Sequence, residues 1–341
     1  MTPYSPIEKK PPRKLNWQLI LKLILGIGLI GLIFYFVDFR EVGRIVTHAN
    51  PWYLLALFVL FYFDRGLMAY KWDMLLQTVN IKIPFAHLFQ IYVIVPLSGT
   101  VLPSTIGGDI FRLFSISRYK INNKAVLASM VMERFVALIC TLILASIGLS
   151  LALYLMGDSG YFNGIGWLLA LGVGLIIAFP LIIWIISTQD LEKIVGRLEE
   201  IPFIGKIAGK LHQVYLLCYD YKNHPQTLIK VTGWTLLEQT VPIVENLLMI
   251  YALNINVSLT SLIIIVPIIA LAVRLPISLD GLGVQEGLYV ALFGLAGVSA
   301  SEAFLLSTIS RIYPMLAALP WGVHYIVVDR RKILSDNQSP L

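Results

Sequence analysis

Leu102-Pro-Ser-Thr-Ile-Gly-Gly-Asp-Ile-Phe-Arg112 and Arg274-Leu-Pro-Ile-Ser-Leu-Asp-Gly-Leu-Gly-Val-Gln-Glu286 are two short stretches, broken by proline and glycine, that carry charge inside otherwise apolar regions. Lipid cannot hydrogen-bond free backbone groups, so a helix broken at membrane depth must be buried in protein or line a cavity. Two such breaks at matching places in two halves of a membrane chain point to a central binding site. The pair therefore implies a substrate path through the bilayer.

Composition agrees. The 341 residues are 57% hydrophobic and only 13% charged, with a mean hydropathy of +0.79. That is far from the balance of a soluble domain, and it leaves no room for a separate soluble catalytic domain. The formal net charge of +6 belongs to cytoplasmic loops in such a chain, not to a nucleic-acid surface. Cys140 and Cys218 make no disulfide framework. The basic start (Lys9, Lys10, Arg13, Lys14) precedes an apolar run that ends in Asp38-Phe-Arg-Glu41 with no cleavage site. It reads as an uncleaved first helix.

The apolar runs predict spanning helices at about 17–37, 51–70, 124–156, 164–187, 226–252 and 301–327. Two further apolar regions, about 84–118 and 258–297, carry the broken stretches. Each is about 35 to 40 residues, short for two crossings of ~20 residues plus a turn. Re-entrant helical hairpins are expected, with two full spans as the alternative. With the N-terminus inside, Lys71, Lys82, Arg112, Arg118, Lys120, Lys124, Lys193, Arg197, Lys206, Lys210, Lys222, Lys230 and Asp329-Arg-Arg-Lys332 all fall on one face. The expected fold is an all-α polytopic membrane protein with about six spans and two hairpins. Residues 1–16 form a basic cytoplasmic tail, 17–330 one membrane domain and 331–341 a second tail. Repeat A covers about 51–156, an amphipathic linker about 188–225 and repeat B about 226–327. The hairpins open to opposite sides, which makes an inverted repeat of the kind that supports alternating access.

Chemistry is concentrated at the breaks. Gly107 and Gly108 allow a tight turn and expose backbone N–H groups. Asp109 and Arg112 follow on one face of the next helix, whose start suits a phosphate oxygen. Arg112 would clamp phosphate or pair with Asp109. In the second break Gly281 and Gly283 allow the chain to turn, Ser278 lies between, and Glu286 sits in a first helical turn where a carboxylate is favourable. Arg274 follows a long apolar run, so it faces a cavity or a partner. Asp280, Glu286 and an anionic substrate are its candidate partners. Glu133 and Arg134 are neighbours pointing in different directions, so each pairs with another helix. Glu238 and Glu245 share a helix face, with Gln239 adjacent, and Arg311 is a further intramembrane charge. Trp17, Trp52, Tyr53, Trp72 and Trp321 read as interfacial anchors. No metal or cofactor is expected: the five histidines are scattered, and no Walker loop, GxSxG elbow or HExxH pair occurs.

The segments Ala69-Tyr-Lys-Trp-Asp-Met-Leu-Leu76, Pro103-Ser-Thr-Ile-Gly-Gly-Asp-Ile-Phe-Arg112, Met132-Glu-Arg-Phe135 and Pro276-Ile-Ser-Leu-Asp-Gly-Leu-Gly-Val-Gln-Glu286 resemble those of the flippase-like family named for the transmembrane region of lysylphosphatidylglycerol synthetases. The resemblance covers about residues 17–327. The first break carries fewer glycines than is usual in similar proteins. The resemblance implies a multi-pass inner-membrane protein that moves lipids between leaflets, with both termini cytoplasmic. In bifunctional relatives a soluble aminoacyl-transferase domain follows this region. None is expected after Arg330-Arg-Lys332, so lysyl transfer is not expected of this chain.

The expected function is a lipid flippase or transporter acting on a phosphate-bearing anionic or zwitterionic lipid. Arg112, Arg134 and Arg274 would neutralise the phosphate, and Gly107, Gly108, Gly281 and Gly283 would let backbone donors approach it. Ser278 belongs to the same binding set. Asp109, Glu133 and Glu286 would hold the arginines between turnovers. Glu133, Glu238, Glu245 and Glu286 are candidates for proton coupling. Membrane lipids are the expected partners, with a second copy of the chain or a separate lipid-synthesising enzyme beside them. The rival classes are a membrane-embedded glycosyl or acyl transferase acting on a lipid, and a non-transporting scaffold.

Overall fold

Pro51 and Pro225 each open a long helix at the position where a missing N–H costs nothing. Asn50 caps the first, its side chain accepting from Trp52 N at 3.0 Å. Ser258 and Ser299 cap two later helices in the same way. At Ser299 the cap is reciprocal, because the Glu302 carboxylate accepts from Ser299 N at 2.9 Å. Asn254 ends the second long helix in a left-handed conformation, φ 54°.

These signals delimit the elements of a computed structural model that describes residues 39–101, 107–117, 119, 121–156, 221, 223–274, 278 and 281–325. Among the described residues every element is a helix: α1 (Phe39–Thr47), α2 (Pro51–Thr78), α3 (Phe85–Val101), α4 (Gly107–Ser117), α5 (Asn123–Met156), α6 (Pro225–Leu253), α7 (Leu259–Val273), α8 (Val284–Leu295) and α9 (Ala300–His324). Helices α2, α5, α6 and α9 are long and apolar enough to cross a membrane. The chain is an all-α polytopic membrane protein. The expected spans at 17–37 and 164–187, the linker and both tails lie outside the described residues.

The order long–short–short–long occurs twice. Helices α3, α4, α7 and α8 have 17, 11, 15 and 12 residues. At ~1.5 Å per residue each falls short of a ~30 Å hydrocarbon core. Each short pair packs on itself as a hairpin. The spacing of the halves is regular. Helices α6 and α7 start 174 residues after α2 and α3 (225 − 51 and 259 − 85), and α8 and α9 start 177 after α4 and α5 (284 − 107 and 300 − 123).

The second half is inverted relative to the first. Asn50 N donates to Ala252 O at 2.7 Å, and the Tyr53 and Tyr251 rings lie 5.6 Å apart. At the far end of the same contact Tyr70 meets Trp234. Residue numbers rise on α2 as they fall on α6, so the two leading helices run antiparallel. Each hairpin then crosses to the other half: α3 packs on α9 and α7 on α5.

Glycine allows close approach at the α5–α7 crossing and within the second hairpin. A Cβ on Gly148 would lie 2.8 Å from Ile263 O, a carbonyl whose usual helical donor is absent because Pro267 follows four residues on. In the second break Gly281 has φ +69°, and a Cβ there would meet Val273 Cγ1 at 2.7 Å. The expected turn at Gly107 and Gly108 needs correction. Both are helical residues of α4's first turn, and Gly108 lets α4 approach α3, where a Cβ would meet Val95 Cγ1 at 3.0 Å. Helix α2 also runs to Thr78 and not to about 70, which places Lys71 and Trp72 inside the bundle. Gly148→Ala should destabilise the α5–α7 crossing by about 1–3 kcal/mol. Gly43, in α1 with open space around its Cα, should accept Ala neutrally or with a gain of up to about 1 kcal/mol. Thermal unfolding of the two variants in detergent checks the contrast.

Candidate functional site

The charged residues of the first hairpin build a closed structural knot. Arg112 on α4 and Glu133 on α5 are 5% and 6% exposed. The guanidinium donates to Glu133 Oε2 at 2.5 Å, and Tyr92 OH donates to Glu133 Oε1 at 2.5 Å. The guanidinium carbon also lies 4.0 Å from the Trp72 ring centroid and 4.6 Å from that of Tyr92. Trp72 Nε1 donates to Ser129 Oγ at 2.9 Å. Trp72 is therefore no interfacial anchor: it is fully covered and forms one wall around Arg112. Asp109, 3.7 Å from Arg112, pairs with Arg134. Glu133 and Arg134 pair with α4 and not with each other, as their opposed directions predict.

The second hairpin repeats one part of this design. Glu286, in the first turn of α8, accepts from Gly283 N at 2.7 Å and from Arg311 Nε at 2.8 Å. Adding 177 to Asp109 and Arg134 gives 286 and 311, so the same acid-to-arginine brace recurs at equivalent positions. Glu286 is thereby committed to α9 and is not the partner of Arg274. Ser278 is buried, and its hydroxyl has no hydrogen-bond partner among the described residues.

At the Arg112–Glu133 positions the two halves part. Their counterparts at +177 are Tyr289 and Ser310, and these two line a cavity of ≈ 380 Å³. It lies between the halves, walled by α2, α6, α7, α8 and α9. Its charged lining is Asp64, Arg65, Glu238, Glu245 and Arg274. Asp64 pairs with Arg65 at 2.6 Å, and Glu238 pairs with Lys71, 1% exposed behind the wall. Arg274 donates only to the neutral Gln239 amide oxygen, at 3.1 Å. Thr141 Oγ1 holds that same oxygen at 3.0 Å. No carboxylate among the described residues lies within ion-pair distance of Arg274. An exposed guanidinium is costly against lipid, so this one faces the water of the cavity.

Of the predicted set, the structure brings Arg274, Glu238 and Glu245 together at the cavity. Gly107, Gly108, Asp109, Arg112, Glu133 and Arg134 form the first hairpin's cluster, and Gly281, Gly283 and Glu286 shape the second hairpin. Asp64, Arg65, Lys71, Gln285 and Ser310 are additions. Asp64 and Lys71 are seven apart on an apolar helix, the spacing that singled out Glu238 and Glu245; Lys71 escaped notice because α2 was ended too early. Among the described residues no group of three or more His, Cys, Asp and Glu is arranged to hold a metal.

Replacing Glu133 with Gln should keep the Tyr92 hydrogen bond but strand the buried Arg112 charge. A loss of about 3–5 kcal/mol is expected, read as a fall in folded yield and in thermal midpoint.

Comparison with known proteins agrees with this architecture. A UPF0104 membrane protein of Methanothermobacter thermautotrophicus is 20% identical over 318 residues, spanning 88% of this chain and 92% of that protein. The profile of the lysylphosphatidylglycerol synthase TM region matches residues 19–322, both broken hairpins included, and the chain belongs to that family of membrane proteins.

Proposed function

We propose that this protein moves a phosphate-bearing lipid between the leaflets of the inner membrane by alternating access. The observation that carries this reading is Arg274: a cation with no carboxylate partner among the described residues (Asp280 lies outside them), placed at a helix break on the wall of a cavity between two inverted halves. A phosphate oxygen arriving there gains a charge-assisted hydrogen bond without breaking an existing ion pair. Gln239 and Thr141 hold the guanidinium in place before the headgroup enters. The acyl chains stay in the bilayer while the headgroup passes between the halves.

The hairpins supply the moving parts. A short helix ending within the membrane is held by packing and not by an interfacial anchor, so it can rock against the opposite half at modest cost. The Asp109–Arg134 and Glu286–Arg311 braces tie each hairpin to the last long helix of its own half. Each half would then move as a body. The basic clusters favour cytoplasmic placement of both tails.

Proteoliposomes carrying fluorescent phosphatidylglycerol should show protein-dependent movement of the label between leaflets. Arg274→Ala should cut the initial rate by about tenfold or more, the loss of one charge-assisted contact. Wild-type protein that moves no phosphate-bearing lipid would refute the proposal.

A further inference from the structure

Among the described residues, Glu245 is an intramembrane carboxylate with no ion-pair partner. Asp109, Asp64, Glu133, Glu238 and Glu286 each have an arginine or lysine partner. Glu245 has instead the hydroxyl of Tyr313, from α9. It also lines the cavity that holds Arg274.

The internal repeat accounts for this exception. Adding 174 to Asp64 gives Glu238, and adding 174 to Lys71 gives Glu245. The axis that relates the halves therefore maps the Lys71–Glu238 ion pair onto Glu245 and Asp64. One site holds a cation and an anion, and its twin holds two carboxylates. Asp64 and Arg65 are both within electrostatic reach of Glu245, but Arg65 forms its ion pair with Asp64. Two carboxylates in a low-dielectric site are accommodated when one of them carries a proton. Beside Glu245, Asn246 is 2% exposed, lines the same cavity, and has an Oδ1 with no donor.

From these observations we infer that Glu245 is a proton-carrying group, and that it takes up a proton together with the anion that enters at Arg274. The inference rests on the transport reading for its place in a cycle, but not for the binding step itself. The groups facing the cavity around Glu245 are Asp64 and Arg65 on α2, Glu238 on α6, Arg274 at the end of α7, Tyr289 on α8 and Tyr313 on α9. With Asp64 and Glu238 neutralised by their partners, a protonated Glu245 leaves Arg274 as the net charge of the cavity. An anion is then drawn in. An ionised Glu245 would cancel that charge and repel the anion. Proton and anion each favour the binding of the other, by the same factor in both directions. On release to the other side, departure of the anion lets the proton go, so a pH gradient would drive lipid movement. Glu133, Glu238 and Glu286, each held by a cation, have no such role.

Proton uptake on ligand binding tests this directly. Purified protein in weakly buffered detergent would be mixed with short-chain phosphatidylglycerol, and separately with inorganic phosphate, while a pH indicator dye is followed across the neutral range. Wild type should take up a proton as the phosphatidylglycerol binds. Glu245→Gln should abolish that uptake, and its anion binding should lose its pH dependence. Tyr313→Phe, a second variant that keeps the carboxyl, should retain uptake with a shifted pH profile. No uptake by wild type, or uptake that survives Glu245→Gln, would overturn the inference. Uptake with phosphate alone, equal to that with the lipid, would keep the proton site but identify the ligand as free phosphate. Leaflet-exchange assays on the same samples separate the two claims. Lipid movement without proton uptake refutes the coupling alone, and uptake without lipid movement refutes the transport reading alone.

Discussion

A helix that stops inside hydrocarbon leaves amides and carbonyls that lipid cannot satisfy, and the rest of this structure is arranged to cover four such helices. Each hairpin is covered from both halves: α2 and α9 lie over α3, and α6 and α5 lie over α7. Such an exchange requires the halves to run in opposite directions and to meet along α2 and α6. It also requires close approach, which is why Gly148 sits against a carbonyl that Pro267 has deprived of its usual donor. Small residues at such crossings let van der Waals contact replace the hydrophobic driving force that lipid does not provide. The cavity follows from the same exchange. It lies where the two halves meet, walled by α2, α6 and α7 and by the first residues of α8.

Charge inside this fold is governed by pairing. Removing one partner of a buried ion pair is costly, whereas the intact pair is close to neutral in stability. Arg112–Glu133 and the two acid-to-arginine braces therefore act more as locks on geometry than as sources of stability. Arg112 illustrates the point: stacked against Trp72 and Tyr92 and bonded to Glu133, its guanidinium has no direction from which a ligand could approach without displacing an aromatic wall. Arg274 has the opposite environment. Its neutral partner fixes its position without cancelling its charge, and that combination is what distinguishes a binding group from a structural one.

The sequence was legible where physics acts locally. Apolar runs near bilayer length located the four long helices within a few residues, apart from the end of α2 at Thr78. The two broken stretches were legible for the same reason, since charge and glycine inside apolar sequence are costly. Pairing was not legible, because it depends on which helices touch. For Arg112 the sequence left Asp109 and phosphate open, and only the placing of α5 beside α4 gives it Glu133. Lys71 was misassigned to a loop because Lys71-Trp-Asp73 resembles the end of a span, and only the antiparallel α6, with Glu238 at the right height, gives a buried lysine its partner. One signal in the sequence was available and went unused. The spacing from Asp109 to Arg134 equals that from Glu286 to Arg311, 25 residues in each half, and it marks the repeat without any structure.

The same spacing shows that the repeat is exact in its braces and broken in its centre. Asp109–Arg134 and Glu286–Arg311 are equivalent, so both hairpins are tethered alike. Arg112 and Glu133 correspond to Tyr289 and Ser310, and Lys71 corresponds to Glu245. In each case the first-half residue is closed in an ion pair, while its second-half counterpart at the cavity is uncharged or has no ion-pair partner among the described residues. An inverted repeat with both centres locked would be a rigid strut, and one with both centres open would carry several uncompensated charges at membrane depth. Retaining the lock in one half and opening the other leaves, among the described residues of the cavity wall, Arg274 and Glu245 outside the ion pairs. Two groups of opposite charge are the fewest that allow a site to bind an anion and still be reset to neutrality when the anion leaves.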